Sequence, residues 1–187
     1  MIEIIGLAIL AVIGAVTAWV EFHEVVSEMT IANPEGEGGT ARIVYQKGLG
    51  TFQPRVASAF AEGLVSRGWR VESTTVSSHA PTDLSSYDLL VIGWPTYWFS
   101  PSLLLRRYVK RIGALDGKRV VVICTAAGAP AGACEKMRRI VQAAHGTVVR
   151  TLTLFTMRPN EGNDDPEEIA TNVGREIALP SDQEGSC

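Results

Sequence analysis

The chain contains 187 residues, of which 46% are hydrophobic, with 17 basic and 20 acidic side chains and a formal net charge of -3. This length suits one globular domain. A disulfide scaffold and a collagen-like chain are excluded, because there are only 3 cysteines and the 18 glycines follow no period. The near-neutral charge argues against a nucleic-acid partner. Apolar residues are concentrated at the N-terminus.

The N-terminal segment has the features of a membrane-spanning helix. Residues 4–20 carry no charge, and a helix of this length lies near the lower limit for crossing the hydrocarbon core. Trp19 and Phe22 stand at its downstream end, where aromatic rings favour the headgroup layer. We therefore interpret residues 1–22 as a transmembrane anchor in contact with membrane lipid, and expect a single-pass membrane protein.

Two alternatives to an anchor stay open. In a cleaved signal peptide, Val16 and Ala18 would be the small residues before the cleavage site, although Glu3 replaces the usual basic region. A buried core helix is the other alternative, although the segment is apolar on all sides. Residues 23–40 contain four glutamates, with Gly38 and Gly39 near the end, which indicates an acidic stalk or linker.

The next part of the chain alternates between strand and helix patterns. Apolar or alternating runs predict strands over residues 42–45, 69–76, 88–93, 119–124 and 148–155, with helical periodicity between them. A last helix is predicted to begin after Asp165 and to end before Pro180. We therefore predict an α/β domain over residues 41–178, with a doubly wound five-stranded parallel sheet. Residues 179–187 are expected to be a disordered tail.

Ligands of such sheets bind at the carboxyl ends of the strands, where three loops of this chain are expected to meet. The first loop combines glycines with a helix N-terminus, an arrangement that suits an anion, although such a turn also contains glycine for steric reasons alone. Its candidate binding residues are Lys47, Gly48, Leu49, Gly50, Thr51, Phe52 and Gln53.

The second and third loops suit a planar ligand. Aromatic rings beside a rigid proline favour stacking on a planar heterocycle; alternatively, the rings pack under the next helix or against another subunit. The candidates in the second loop are Pro95, Thr96, Tyr97, Trp98 and Phe99. The third loop is small and leaves room for a ligand, with the candidates Thr125, Ala126, Ala127 and Gly128.

The segment DLLVIGWPTYWFSPSLLLRRYV over residues 88–109 resembles the third strand, the Gly-Ser-Pro-Thr-Tyr-Trp-type loop and the following helix of the flavodoxin-like family. That family includes flavin-dependent quinone reductases and membrane-linked flavodoxin homologues. The resemblance implies the strand order 2-1-3-4-5 and the cofactor FMN. It also implies that residues 95–98 border the isoalloxazine ring and that residues 125–128 lie on its other side.

The first loop departs from the family pattern. Family members usually place several hydroxyls around the FMN phosphate, whereas Thr51 is the only hydroxyl residue between Gln46 and Gln53. Backbone N–H groups of residues 48–52, with Lys47 or Arg55 nearby, would compensate. The alternative is that the domain has lost FMN and is a flavin-free interaction module at the membrane.

The expected function is FMN-dependent electron transfer, with an NAD(P)H-linked or quinone-linked oxidoreductase as the specific form. No catalytic acid or base is assigned, because a flavin carries the redox chemistry itself. A quinone or a redox protein is the expected partner, and FMN supply places the domain in the cytoplasm. The oligomeric state is left open.

The cysteine and histidine side chains are not assigned to a functional site. Cys124 ends a buried strand and Cys134 lies on an apolar helix face, so both are assigned to the core rather than to redox chemistry. His23, His79 and His145 are isolated in the sequence, and no metal site is predicted.

Overall fold

A computed structural model describes residues 2–96, 100–127, 131–157, 159–160 and 164–184. The helices are α1 (Ile2–Phe22), α2 (Phe52–Val65), α3 (Leu103–Ile112), α4 (Ala131–Ala143), α5 (Pro166–Glu176) and α6 (Ser181–Glu184). The strands are β1 (Thr30–Ala32), β2 (Thr40–Tyr45), β3 (Arg70–Thr75), β4 (Leu89–Pro95), β5 (Arg119–Ala126) and β6 (Thr147–Phe155).

The strands form one sheet in the order β1-β3-β2-β4-β5-β6, in which every pair except β1–β3 is parallel. The five predicted strands are β2 to β6, and their order along the sheet is the predicted 2-1-3-4-5. The predicted doubly wound α/β sheet is therefore confirmed. The predicted number of five strands is wrong, because β1 adds a sixth, antiparallel strand.

The segment predicted to be a stalk lies along the β3 edge of the sheet. Thr30 pairs with Ser73 in the β1–β3 ladder, and Glu24 accepts hydrogen bonds from the backbone and hydroxyl of Ser78, both at 2.8 Å. The Thr75 amide donates to Ser27 Oγ at 3.0 Å. This edge strand was missed in the sequence because three residues are too few to show alternation.

The prediction of a membrane anchor is wrong. Residues 2–22 do form a helix, but across the described part of the chain no helix combines the length and the apolarity needed to cross a membrane. The predicted single-pass membrane localisation is wrong for the same reason. The downstream end of α1 instead packs beside α3, where the guanidinium of Arg107 lies 5.9 Å from the ring centre of Phe22.

Two apolar clusters cover the two faces of the sheet. Alternate residues of the central strands point to opposite faces. Ile92 and Val122 belong to the cluster that includes α3 and α4 side chains, and Val91 and Val121 to the cluster that includes those of α2 and α5. Because β4 and β5 are covered on both sides, their sequences are continuous apolar runs.

Helices α2 and α5 approach each other closely through two glycines. A Cβ atom added at Gly174 would lie 2.5 Å from the backbone oxygen of Phe60 and 3.1 Å from the Cα of Gly63. A Cβ atom at Gly63 would overlap the backbone oxygen of Thr171. The contact between these helices therefore depends on the absence of side chains at both positions.

Candidate functional site

The carboxyl ends of β2, β4 and β5 lie at one edge of the sheet. Tyr45 of β2 is in register with Gly93 of β4, and Pro95 of β4 with Thr125 of β5. The Thr96 amide donates to the Thr125 carbonyl at 2.6 Å, which holds the loop after β4 against the end of β5. The three loops predicted to bind a ligand therefore begin side by side.

A cavity of about 410 Å³ opens between these loops, within the usual size range of small-molecule sites. Ten of the predicted binding residues line it: Lys47, Leu49, Gly50, Phe52, Gln53, Pro95, Thr96, Thr125, Ala126 and Ala127. Thr156 and Met157 also line it. These two residues are not identifiable from the sequence, because they follow β6, whose pattern gives no sign of a ligand.

The other six predicted residues do not appear among the described residues that line this cavity. Gly48 and Thr51 are outside its lining, and Gly48 lines a separate small cavity with Trp19 and His23 of the N-terminal segment. Four further candidates, Tyr97, Trp98, Phe99 and Gly128, lie outside the described residues. Their contact with a ligand stays a prediction.

The loop after β2 leaves open space at the mouth of the cavity. Gly48 has a φ of +70°, a conformation that strongly favours glycine. Gly50 has no positive φ, and a Cβ atom added there would meet nothing within 4 Å. Gly50 is therefore a position where a ligand group, or an engineered side chain, can be placed without backbone strain.

The N-terminus of α2 gives this loop a positive electrostatic character. Thr51 is the N-cap residue, but its side chain makes no capping hydrogen bond, and the first turn contains no acidic residue. The first amides of a helix have no acceptor within the helix, and they carry the positive end of the helix dipole. Lys47 is the only charged residue among those described in the cavity lining. The loop therefore suits an anion.

A buried amide lies at the floor of the cavity. Gln53 and Thr125 are each 2% exposed, and the Thr125 hydroxyl donates to Gln53 Oε1 at 2.8 Å. Within the described residues Gln53 Nε2 has no hydrogen-bond partner. An unpaired buried donor costs about 1–3 kcal/mol, and this donor lies against Gly93 of β4.

Gly93 makes room for this amide, because a Cβ atom there would overlap Gln53 Nε2. The sequence contained a signal for the arrangement, namely a glycine inside an otherwise continuous apolar strand. It could not identify the partner, since Gln53 lies 40 positions upstream on another element.

A larger concavity, of about 1080 Å³, lies along the edge strand β6 and is lined by residues of β6, Arg138, Ile169 and Val173. It is an open groove beside the sheet rather than a site at the strand ends. We therefore consider the smaller cavity as the candidate site, because the loops after β2, β4 and β5 and the N-terminus of α2 meet there. Among the residues described, no cluster of three or more His, Cys, Asp or Glu side chains is arranged to hold a metal ion.

No protein-family model matches the sequence, and no curated protein sequence matches it. Solved structures do share its fold. Two-electron reduced flavodoxin from Megasphaera elsdenii is 16% identical with a TM-score of 0.61, over 73% of this chain and 99% of that chain. A flavodoxin-type WrbA-like protein from Agrobacterium tumefaciens is also 16% identical, with a TM-score of 0.56 over 74% and 94% of the two chains.

The NAD(P)H:quinone oxidoreductase from Methanothermobacter marburgensis is 17% identical with a TM-score of 0.51, over 73% of this chain and 95% of that chain. In each of these comparisons nearly the whole neighbour is matched, and the matched share of this chain corresponds to a domain of similar size. The expected flavodoxin-like fold is thereby confirmed for this chain.

Proposed function

We propose that this chain binds FMN in the cavity at the ends of β2, β4 and β5 and transfers electrons through it. The observation that carries the proposal is the combination, in one cavity, of an acid-free helix N-terminus with Lys47 and the polar side chains of Gln53 and Thr125. The flavodoxin-like fold implies FMN as the cofactor, and these residues fit a ligand that has an anionic group and a polar ring.

The loop after β2 would hold the phosphate. Backbone N–H groups at the start of α2 and the ammonium of Lys47 supply donors and positive charge, and the open space at Gly50 admits the group. This arrangement replaces the hydroxyl-rich loop of the family with backbone donors. Helix N-termini bind phosphate in this way in many nucleotide-binding proteins.

The rest of the cavity would hold the ring system. Pro95 and Phe52 supply apolar surface, and Thr96, Gln53 and Thr125 supply polar atoms for its edges. FMN supplies one-electron or two-electron chemistry when bound. The residues of this chain bind and orient it, and none of them is assigned as a catalytic acid or base.

The mouth of the cavity suits an apolar or protein electron partner. Leu49 is 58% exposed and Met157 is 83% exposed, and both belong to the cavity lining. Exposed apolar groups beside a binding site favour a docking partner. We therefore propose a quinone or a redox protein as the acceptor, with NAD(P)H as the candidate donor.

The proposal is tested first by the visible absorption spectrum of the purified chain, before and after addition of excess FMN. We expect bound FMN with a shifted spectrum and quenched fluorescence. A protein that leaves the spectrum and fluorescence of FMN unchanged would overturn the proposal and favour a flavin-free interaction module.

Gly50→Asp tests the placement of the phosphate. Like charges about 4 Å apart repel by about 4 kcal/mol at a protein surface, so we expect the FMN dissociation constant to increase by a factor of about 100 or more. Gly50→Ala is the matched control, because its methyl group meets nothing within 4 Å, and it should retain most of the affinity. Equal affinities of the two variants would contradict this placement of the phosphate.

A further inference from the structure

Two cysteines that are ten positions apart in the sequence lie together beside the candidate site. Cys124 is near the end of β5 and is 0% exposed, and Cys134 is on α4 and is 7% exposed. Both are free thiols that belong to the same apolar cluster. The core assignment made from the sequence describes their burial but not their contact.

The contacts of the two thiols show how they come together. Cys124 of β5 is in register with Thr153 of β6, and the Sγ of Cys134 lies 3.6 Å from the hydroxyl of that same threonine. Helix α4 therefore places Cys134 above the β5–β6 pair. Cys124 and Cys134 are therefore both neighbours of Thr153, on the same face of the sheet.

The two thiols have unequal environments. The interaction with Cys134, together with burial, raises the pKa of Cys124, whereas the interaction with Cys124 lowers the pKa of Cys134. A thiolate is the reactive form in thiol chemistry. These directions favour Cys134 as the thiolate of the pair.

A single residue connects the thiol pair to the candidate cofactor cavity. The hydroxyl oxygen of Thr96 lies 2.8 Å from the Sγ of Cys124, and Thr96 also lines the cavity. The next residue after Cys124, Thr125, donates its hydroxyl hydrogen to Gln53 on the floor of that cavity. The pair is thus in contact with the wall of the site.

We propose that Cys124 and Cys134 are a redox-active pair, which forms a disulfide by passing two electrons to a flavin bound in the adjacent cavity. The disulfide itself depends only on the two cysteines, whereas the electron acceptor rests on the proposed binding of FMN. The two S–H bonds break and one S–S bond forms. Two electrons and two protons pass to the oxidised flavin, which becomes two-electron reduced.

The disulfide is tested in the full-length chain without added flavin. All variants carry Cys187→Ser, so that Cys124 and Cys134 are the only thiols that can be alkylated and counted. The protein is brought to equilibrium in glutathione redox buffers, starting from reduced and from oxidised protein, and the thiols are then alkylated in denaturant and counted by mass spectrometry. We expect two alkylated thiols in reducing buffer, none in oxidising buffer, and a peptide that joins residues 124 and 134.

Cys124→Ser and Cys134→Ser are the controls, and each should keep one alkylated thiol or form a mixed disulfide with glutathione. Because a serine at a buried position destabilises a core, both variants are checked by urea denaturation, and the result for the parent chain decides the test. Two alkylated thiols at every redox ratio in the parent chain would overturn the proposal, since the pair would then be packing alone.

Electron exchange is tested by mixing the reduced parent protein with oxidised FMN without oxygen. We expect loss of flavin absorbance together with the loss of two alkylatable thiols, and no loss of absorbance with Cys134→Ser. If FMN does not bind, the proposed function fails, while the glutathione titration still tests the disulfide. Equal bleaching with the serine variant would overturn the exchange and leave the proposal of FMN binding intact.

Discussion

Arg42 and Glu72 form a buried ion pair between β2 and β3, at the start of β2 and away from the candidate site. Their side chains are 4% and 10% exposed, and Arg42 Nη2 lies 3.0 Å from Glu72 Oε2. The Tyr87 hydroxyl donates to the same oxygen at 2.5 Å, and Arg70 binds the other carboxylate oxygen at 2.9 Å. Burial alone would raise the pKa of Glu72, but these hydrogen bonds outweigh it and hold the pKa below its usual value.

The lowered pKa predicts a loss of stability in acid. A carboxyl group whose pKa is lower in the folded chain stabilises the fold fully above its unfolded pKa, near 4.5, and loses this contribution as the pH falls through the folded pKa. Glu72→Gln leaves Arg42 buried without its counter-charge, so we expect a loss of about 3 kcal/mol at pH 7. The difference from the parent chain should shrink between pH 5 and pH 3, as measured by urea denaturation.

Glu176→Gln is the matched control, because Glu176 forms an ion pair with Arg150 at 3.2 Å but its side chain is 63% exposed. An exposed pair contributes less than about 1 kcal/mol. Curves of stability against pH that run parallel for Glu72→Gln and the parent chain would contradict the assigned role of Glu72.

At the scale of single residues, the sequence identifies candidate site residues better than it identifies which residues contact each other. Lys47 and Gly50 are identifiable because glycines before a helix are a local pattern. The pairs Gln53–Thr125 and Cys124–Cys134 are not, since each joins different elements through the packing of a helix on the sheet. Alternation in β5 shows that Cys124 and Thr125 point to opposite faces, but which helix residue lies above each depends on the position of that helix.

At the scale of elements, the close contact of α2 and α5 can be tested by whether a substitution raises or lowers the free energy of unfolding. Gly174→Ala would place a Cβ atom 2.5 Å from a backbone oxygen of α2, so the helices must separate. We expect a loss of about 1–3 kcal/mol from this overpacking, measured as the free energy of unfolding in urea.

Gly132→Ala is the control for helix propensity. Gly132 is exposed on α4, and a Cβ atom there meets nothing within 4 Å, so replacement of a helical glycine should stabilise by up to about 0.5–1 kcal/mol. If Gly174→Ala also stabilised the chain, the two helices would not be in the close contact described.

The elements that were predicted correctly are those with long patterns. Strands β4 and β5 are continuous apolar runs because both faces are covered, and α3 and α4 show helical periodicity because one face is buried. The strand β1 has three residues and pairs with β3, and its central residue Ile31 lies 41 positions before its partner Glu72. The strand β1 forms because the edge of β3 is free to pair, and a free sheet edge cannot be recognised from the local sequence.

At the scale of the whole molecule, the N-terminal segment is bound to the sheet through residues 24–32 rather than through α1. A chain that begins at Glu24 keeps β1 and the bonds to Ser78 and Thr75, so it should retain most of the stability of the full chain. A chain that begins at Thr40 loses these hydrogen bonds, each with a net value of about 1 kcal/mol, and exposes the β3 edge.

We therefore expect the chain that begins at Thr40 to unfold at lower urea concentration and to self-associate, because a free strand edge favours pairing with another copy. Urea denaturation and sedimentation measure the two effects. Equal stability and a monomeric state of both shortened chains would show that β1 contributes nothing to the fold.

The position of β1 also has a consequence during synthesis. Residue 27 is made 48 positions before Thr75, which holds it in the folded chain. At a synthesis rate of about 5–20 residues per second, roughly 2–10 s pass before that partner is added to the chain. Throughout this interval residues 24–32 have no β3 to bind, and α1 keeps side chains such as Leu7 and Leu10 exposed, as they are even in the final fold. The nascent chain therefore exposes its most apolar segment before the strand that holds residues 24–32 has been made.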